Sequence, residues 1–283
     1  MRWRPLRVVL SLVFCASTAL AEDAQPDRME PGWYVAADLA GGWNSWALYG
    51  KVEATYRHPL REKMDMVWSH GELGYRLAVS PAATRWGVHG EIMPAAFFRL
   101  RLHYDSVFFH GFYGSLRTMP RNDVPHDEAD IAGGPSRPGV GHRVWLNAVL
   151  QGKWKALALR NATELVWYAA DTAQNYFFNW EYETISKQSD FVFENRFGLL
   201  VNLLEKRSPH ALYVGPFYAL VLQPSTDFRR QRAGIDLYAE PFGPTRRMGT
   251  PRIYVIAGMN IEETYRTGEL YVIASLGSTW DLR

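Results

Sequence analysis

The segment at 97–109, FFRLRLHYDSVFF, places Phe98, Leu100, Leu102, Tyr104, Ser106 and Phe108 at even positions, with Arg99, Arg101, His103 and Asp105 between them. A helix cannot use this pattern, because residues two apart lie about 200° round its axis and the charges would scatter over every side. A strand uses it directly, with one oily face and one ionic face. The same period of two returns along most of the chain, in segments too long for an ordinary soluble strand of about 5–6 residues. Long two-faced strands are therefore the feature that any fold of this chain must accommodate.

At 46–57, Trp46, Leu48, Val52, Ala54 and Tyr56 alternate with Lys51, Glu53 and Arg57, and at 67–79, Leu73, Tyr75, Leu77 and Val79 alternate with His70, Glu72 and Arg76. At 85–92, Trp86, Val88 and Ile92 alternate with Arg85, His89 and Glu91; at 143–155, Val144, Leu146 and Leu150 oppose Arg143, Asn147, Lys153 and Lys155. Further strands are expected at 157–168, 191–202, 228–240, 253–263 and 269–282, with weaker ones at 33–41 and at 211–222, where Pro216 interrupts an apolar run. That makes about twelve. HPLREKMD, MPAAF, LEKRSPH and EPFGPTRRMGTP carry the proline, glycine and charge of turns, and 111–142 stands out as a single long loop.

The chain begins MRWRPLR, continues VVLSLVFCASTALA and then turns polar, which reads as a cleavable secretory signal at 1–21. Its apolar run is shorter than the roughly 20 residues a spanning helix needs. Cys15 is the only cysteine, so the exported chain is expected to be stable without disulfides. A formal net charge of +2 and the absence of any like-charged run give no reason to expect a nucleic-acid partner.

Alternation alone fits a soluble sandwich with charges outward or a membrane barrel with charges inward. Strand length favours the second, since about 9–11 tilted residues cross a bilayer. So do the aromatics near segment ends (Trp46, Tyr56, Trp86, Phe98, Phe108, Trp154, Trp167, Trp280), as expected of two interfacial girdles. In this layout the chain resembles the outer-membrane β-barrels of Gram-negative bacteria over 32–283. The resemblance implies an all-β, antiparallel up-and-down transmembrane barrel of about 12 strands, a periplasmic segment at 22–31, location in the outer membrane and delivery by the barrel-insertion machinery. It also implies that both termini are periplasmic, which puts 111–142, SPAAT, QPSTD and TYRTG outside the cell. One departure is the ending Trp280-Asp281-Leu282-Arg283, where such proteins commonly finish on an aromatic residue.

The expected lumen lining is Lys51, Glu53, His70, Glu72, Arg76, Arg85, His89, Glu91, Arg99, Arg101, His103, Asp105, Lys153, Lys155, Arg160, Glu194, Arg196, Arg230, Arg232 and Asp236, together with Arg57, Arg143, Glu164 and Glu262. Basic groups are in modest excess. Such a face either neutralises itself as a packed ionic filling or lines a water-filled pore that favours small polar or anionic solutes. A twelve-stranded barrel permits both. A closed barrel acting through its outer loops is the alternative role.

A lipid hydrolase is the third, needing a serine, a histidine and a polar partner on the lipid side. The local candidates fail. Ser69 lies on the opposite face from His70 and Glu72, and Ser106 on the opposite face from His103 and Asp105, which leaves only a partner from another strand. Lumen pairs such as His103 with Asp105 or His89 with Glu91 are commoner as ion pairs than as metal ligands, and the loop stretch HDEAD, 126–130, lacks the oxygen spacing of a dedicated calcium site. The sequence therefore predicts a non-enzymatic barrel without catalytic, cofactor or metal residues.

Overall fold

The computed structural model describes residues 31–43, 48–60, 69–112, 115–119, 121–122, 136–172, 174–204, 210–243, 249–263 and 266–282. The expected signal, most of the segment at 22–31, Trp46 and the HDEAD stretch lie outside the described residues. Among the described residues fifteen strands run β1 (Gly32–Trp43), β2 (Leu48–Pro59), β3 (His70–Val79), β4 (Ala83–Ala95), β5 (Phe98–His110), β6 (Thr118–Met119), β7 (Pro138–Trp154), β8 (Leu157–Ala170), β9 (Tyr176–Asn179), β10 (Thr184–Lys187), β11 (Ser189–Asn202), β12 (Ala211–Gln223), β13 (Phe228–Glu240), β14 (Thr250–Glu262) and β15 (Leu270–Asp281).

Twelve of them, all but β6, β9 and β10, pair in chain order into a closed antiparallel barrel. The ring shuts where β1 meets β15, in register from Tyr34 opposite Asp281 to Trp43 opposite Val272. The period of two dictates which face is which. On β3, Leu73 and Tyr75 are 71% and 64% exposed, whereas Glu72 and Arg76 beside them are 5% and 3%. Across the barrel the exposed large side chains are apolar, among them Leu39, Val52, Val88, Leu102, Leu146, Leu165, Ile235 and Leu276. Such an apolar band is stable against acyl chains and would be a large liability in water. The architecture is that of bacterial outer-membrane barrels.

Exposed aromatics mark both ends of the band. Trp33, Tyr56, Phe97 and Trp154 lie at the end with the short turns, and Trp86, Phe108 and Phe191 at the end with the long loops. Trp33 and Tyr56 touch across β1 and β2, with ring centroids 5.5 Å apart.

Three local features depart from the plain alternation. The long loop ends earlier than expected, because Pro138 already begins β7. The suspect segment at 211–222 is a full barrel strand. Pro216 is opposite Ile235 of β13, while the pairing between β11 and β12 skips from Gly198–Phe217 to Val201–Val214, so the missing amide falls in a gap of the ladder. Between β13 and β14 the register slips at Gln231/Arg232. That bulge turns Glu262 outward, where it pairs with the exposed Arg229, and Glu263 is buried instead.

The largest departure is a second long connection, 171–188, between β8 and β11. Its strands β9 and β10, with β6 from the first long loop, form a separate three-stranded sheet. Phe177, Phe178 and Ile185 of that sheet, with Trp180 in the turn after β9, are buried against small residues near the loop end of the barrel wall, including Ala40, Ala78, Ala83 and Ala170. Each phenylalanine so withdrawn from water stabilises the arrangement by roughly 1.5–3 kcal/mol.

If the band faces lipid, Leu102→Arg should destabilise the barrel by about 2–4 kcal/mol in urea titrations in lipid vesicles, as expected for a lipid-facing charge near mid-bilayer. A water-facing surface would absorb the same change within about 0.5 kcal/mol.

Candidate functional site

The inner face holds a connected array of charges, because strands β2 to β5 each place ionisable residues at several of their inward positions. Its centre is Arg101. The guanidinium reaches Glu91 at 2.5 Å, Glu53 at 3.0 Å and Glu72 at 3.6 Å. Arg57 also pairs with Glu72, and Arg99 lies 3.8 Å from Glu91. His70 lies 3.2 Å from Glu72 and 3.7 Å from Glu91; His89 lies 3.6 Å from Glu53.

Next to this cluster, His103 bonds Asp105 at 2.8 Å and Arg143 reaches the other oxygen of Asp105 at 3.2 Å. The imidazole of His103 stacks between His89 and Trp145, with centroids 5.5 and 5.0 Å away. Glycine makes room for these rings. A Cβ on Gly74 would overlap His89, and one on Gly87 would overlap Asp105 and the Tyr104 carbonyl oxygen.

The remaining expected residues are distributed round the wall. Lys51 pairs with Asp38 at 3.0 Å, Arg76 bonds the Tyr49 hydroxyl at 3.5 Å, and Arg160 is buried. Glu194 is half-buried, opposite the buried Glu164 on β8. Arg196 pairs with Asp236 and lies over the Phe217 ring at 4.3 Å. Lys153, near the short-turn end, is exposed and bonds the Tyr213 hydroxyl at 3.1 Å.

Lys155 is placed differently. It occupies the tight turn between β7 and β8 with φ 56°, exposed, its ammonium over Trp154, since the strand pattern stops one residue earlier. It does not line the lumen.

At the loop end, the turn between β9 and β10 delivers two acids that sequence reasoning missed. Glu181 pairs with Arg85 at 3.0 Å and with Arg143, and it accepts the hydroxyl of Tyr168. Glu183 meets Arg230 at 3.2 Å, Arg232 at 2.8 Å and Arg266. The only sequence signal was the aromatic run YFFNW between two strands, too apolar for a solvated loop.

His70, Glu72 and Glu91 bring ligand atoms within 4.8 Å of one another. Arg57, Arg99 and Arg101 already engage the two carboxylates, so the arrangement works as an ion-pair network. On the outer face, Ser106 stands opposite His142 of β7. Tyr104 connects them, its hydroxyl 2.8 Å from the imidazole Nδ1 and 3.4 Å from the Ser106 oxygen. Among the described residues no carboxylate bonds His142, so a complete hydrolytic triad is not formed there.

No protein-family model matches the chain, and no curated protein matches it in sequence. Solved structures similar to it include the β domain of the Bordetella autotransporter BrkA, at 11% identity and a TM-score of 0.46, covering 89% of this chain and all of that one. LpxR from Salmonella typhimurium, at 10% identity and a TM-score of 0.39, covers 87% of this chain and 99% of its own. OmpT of Vibrio cholerae, an outer-membrane protein in trimer form, has 5% identity and a TM-score of 0.36 over 89% and 99%. Likenesses at this level say nothing about activity.

Burial by itself would raise the Glu181 carboxyl, but Arg143 and then Arg85 overcome it and hold it at about 2. A depressed carboxyl stabilises the folded form above its ordinary value of 4.5 and loses that contribution as pH falls through about 2. A nitroxide on Gln174→Cys should therefore report an immobile loop from pH 8 to pH 4, loosening only toward pH 2; loosening near pH 5 would contradict the ion pairs.

Arg101→Met removes the one cation that Glu53, Glu72 and Glu91 share, leaving Arg57 on Glu72 and Arg99 beside Glu91, and should destabilise the barrel by about 3–5 kcal/mol. A loss under about 1 kcal/mol would mean that bulk water screens the cluster.

Proposed function

We propose that this chain is an outer-membrane barrel that passes small polar or anionic solutes and is shut at rest by its own loop sheet. The observation that carries this reading is the placement of Glu181 and Glu183. One short turn presents both acids to arginines on opposite stretches of the wall, Arg85 and Arg143 from β4 and β7, Arg230 and Arg232 from β13. These acids hold the positions that a passing anion would take, and withdrawing them would leave a ring of guanidiniums at the mouth.

On this reading the signal at 1–21 is removed, 22–31 lies in the periplasm, the barrel inserts through the outer-membrane machinery, and the long loops face outward. No cofactor and no catalysis are required.

A second reading is a permanently closed barrel that acts through its loops. It is favoured by the burial of Phe177 and Phe178, at 2% and 1% exposure, which ties the sheet down independently of the ion pairs.

Conductance in planar bilayers separates the two. The wild-type barrel should open rarely. Glu181→Gln with Glu183→Gln should raise the open probability at least tenfold, with a reversal potential that favours chloride over potassium. If a variant with 174–187 replaced by a short Gly-Ser turn is folded yet silent, the pore reading fails and the closed barrel stands.

A further inference from the structure

The three arginines around Glu183 are poorly matched to a single carboxylate. Arg230, Arg232 and Arg266 all direct a terminal nitrogen at the same atom, Glu183 Oε2. Arg266 also bonds Glu263 at 3.0 Å, and the second donor set of Arg232 reaches Asn260 at 2.7 Å. These named groups set three guanidiniums against two carboxylates. Planar guanidinium forks are suited to ligands that offer several oxygens at once, and here three of them converge on one oxygen.

The carboxylate that fills the site is held in an awkward way. Glu183 has φ 51°, a left-handed conformation that non-glycine residues rarely adopt. The preceding carbonyl, that of Tyr182, accepts a further bond from Arg230 at 2.7 Å. The turn thus strains its own backbone to set an anion among these cations. The site is not sealed, since the side chains of Arg232 and Arg266 each keep 14% of their surface exposed.

We propose that Arg230, Arg232 and Arg266 form a binding site for a phosphate-type oxyanion, and that Glu183 occupies it as a tethered stand-in until the loop withdraws. Three terminal oxygens of a phosphate would take one guanidinium each, where Glu183 offers all three the same atom. The proposal deepens the pore reading by naming the solute class, free phosphate or a small phosphorylated solute. Phosphate on a lipid is disfavoured, because Arg230 and Arg232 project into the barrel and the wall separates them from acyl chains.

The test is calorimetric titration of inorganic phosphate into the full-length barrel folded in a zwitterionic detergent. Glu183→Ala should bind phosphate at least tenfold more tightly than the wild type. Adding Arg232→Ala to that variant should remove the gain. Glu183→Gln, which keeps the side-chain shape, should give a smaller gain of the same sign and serves if the alanine variant fails to fold. In the wild type, tens of millimolar phosphate should mobilise a nitroxide on Gln174→Cys, and chloride at equal ionic strength should not.

No gain in either Glu183 variant, or a gain that survives Arg232→Ala, overturns the proposal and leaves Glu183 as a structural staple. Micelles carrying phosphatidic acid form a second arm; binding there in place of free phosphate would overturn the solute assignment. Because binding is read without conductance, a barrel that never conducts yet binds phosphate in the Glu183→Ala form would fail as a pore and keep the site.

Discussion

Backbone amides inside a hydrocarbon layer have no water to bond, so every one of them needs a partner within the protein. In this chain that demand is met by the pairing of β1 with β15, which removes the last two free edges of the sheet. Closure forces the strands into a ring, and the ring in turn fixes which half of each alternating pattern meets lipid. The same condition explains where irregularities occur. Pro216, without an amide, coincides with a gap in the ladder, and the slip beside Gln231 lies close to the loop end, where strand pairing is about to stop.

A ring this narrow creates a second problem, because its inner face is crowded with charge. Arg101 serves Glu53, Glu72 and Glu91 together, and Asp105 is shared by His103 and Arg143. Sharing is the economical arrangement where burial penalises any unpaired ion. Space is managed with equal care. At Gly74, Gly87 and Gly277 a neighbouring imidazole or carboxylate needs the volume of a methyl group. Near the loops the wall is lined with alanine, and the aromatic side chains of β9 and the following turn fill the room that remains.

The loop sheet connects these two themes. Its phenylalanines are held by apolar burial and its glutamates by cations of the wall, so it is bound both by shape and by charge. An apolar stopper alone would leave Arg230, Arg232 and Arg266 without the carboxylate they share; an ionic one alone would leave an alanine-lined cavity open to water. The joint use of both accounts for the position of Glu183, whose unfavourable backbone geometry is compensated by the guanidiniums it meets.

Strand number, the identity of the lipid-facing side chains and the inward direction of residues such as Glu72, Arg76 and Arg101 were legible from the sequence, because side-chain direction in a strand follows parity and needs no knowledge of neighbours. Parity fails only where the backbone breaks step, which is why Glu262 and Lys155 were misplaced. Partnerships were not legible. Nothing in the order of residues says that Glu181 meets Arg85 or that Glu183 meets Arg230 and Arg266, since those contacts span a loop that folds back into the ring. The alternating pattern, read with the length of its segments and the aromatics at their ends, therefore determined a barrel with its charges inside; which charges pair, and that its own loops enter the mouth, was decided only by closure, which brings distant strands to face one another across a shared interior.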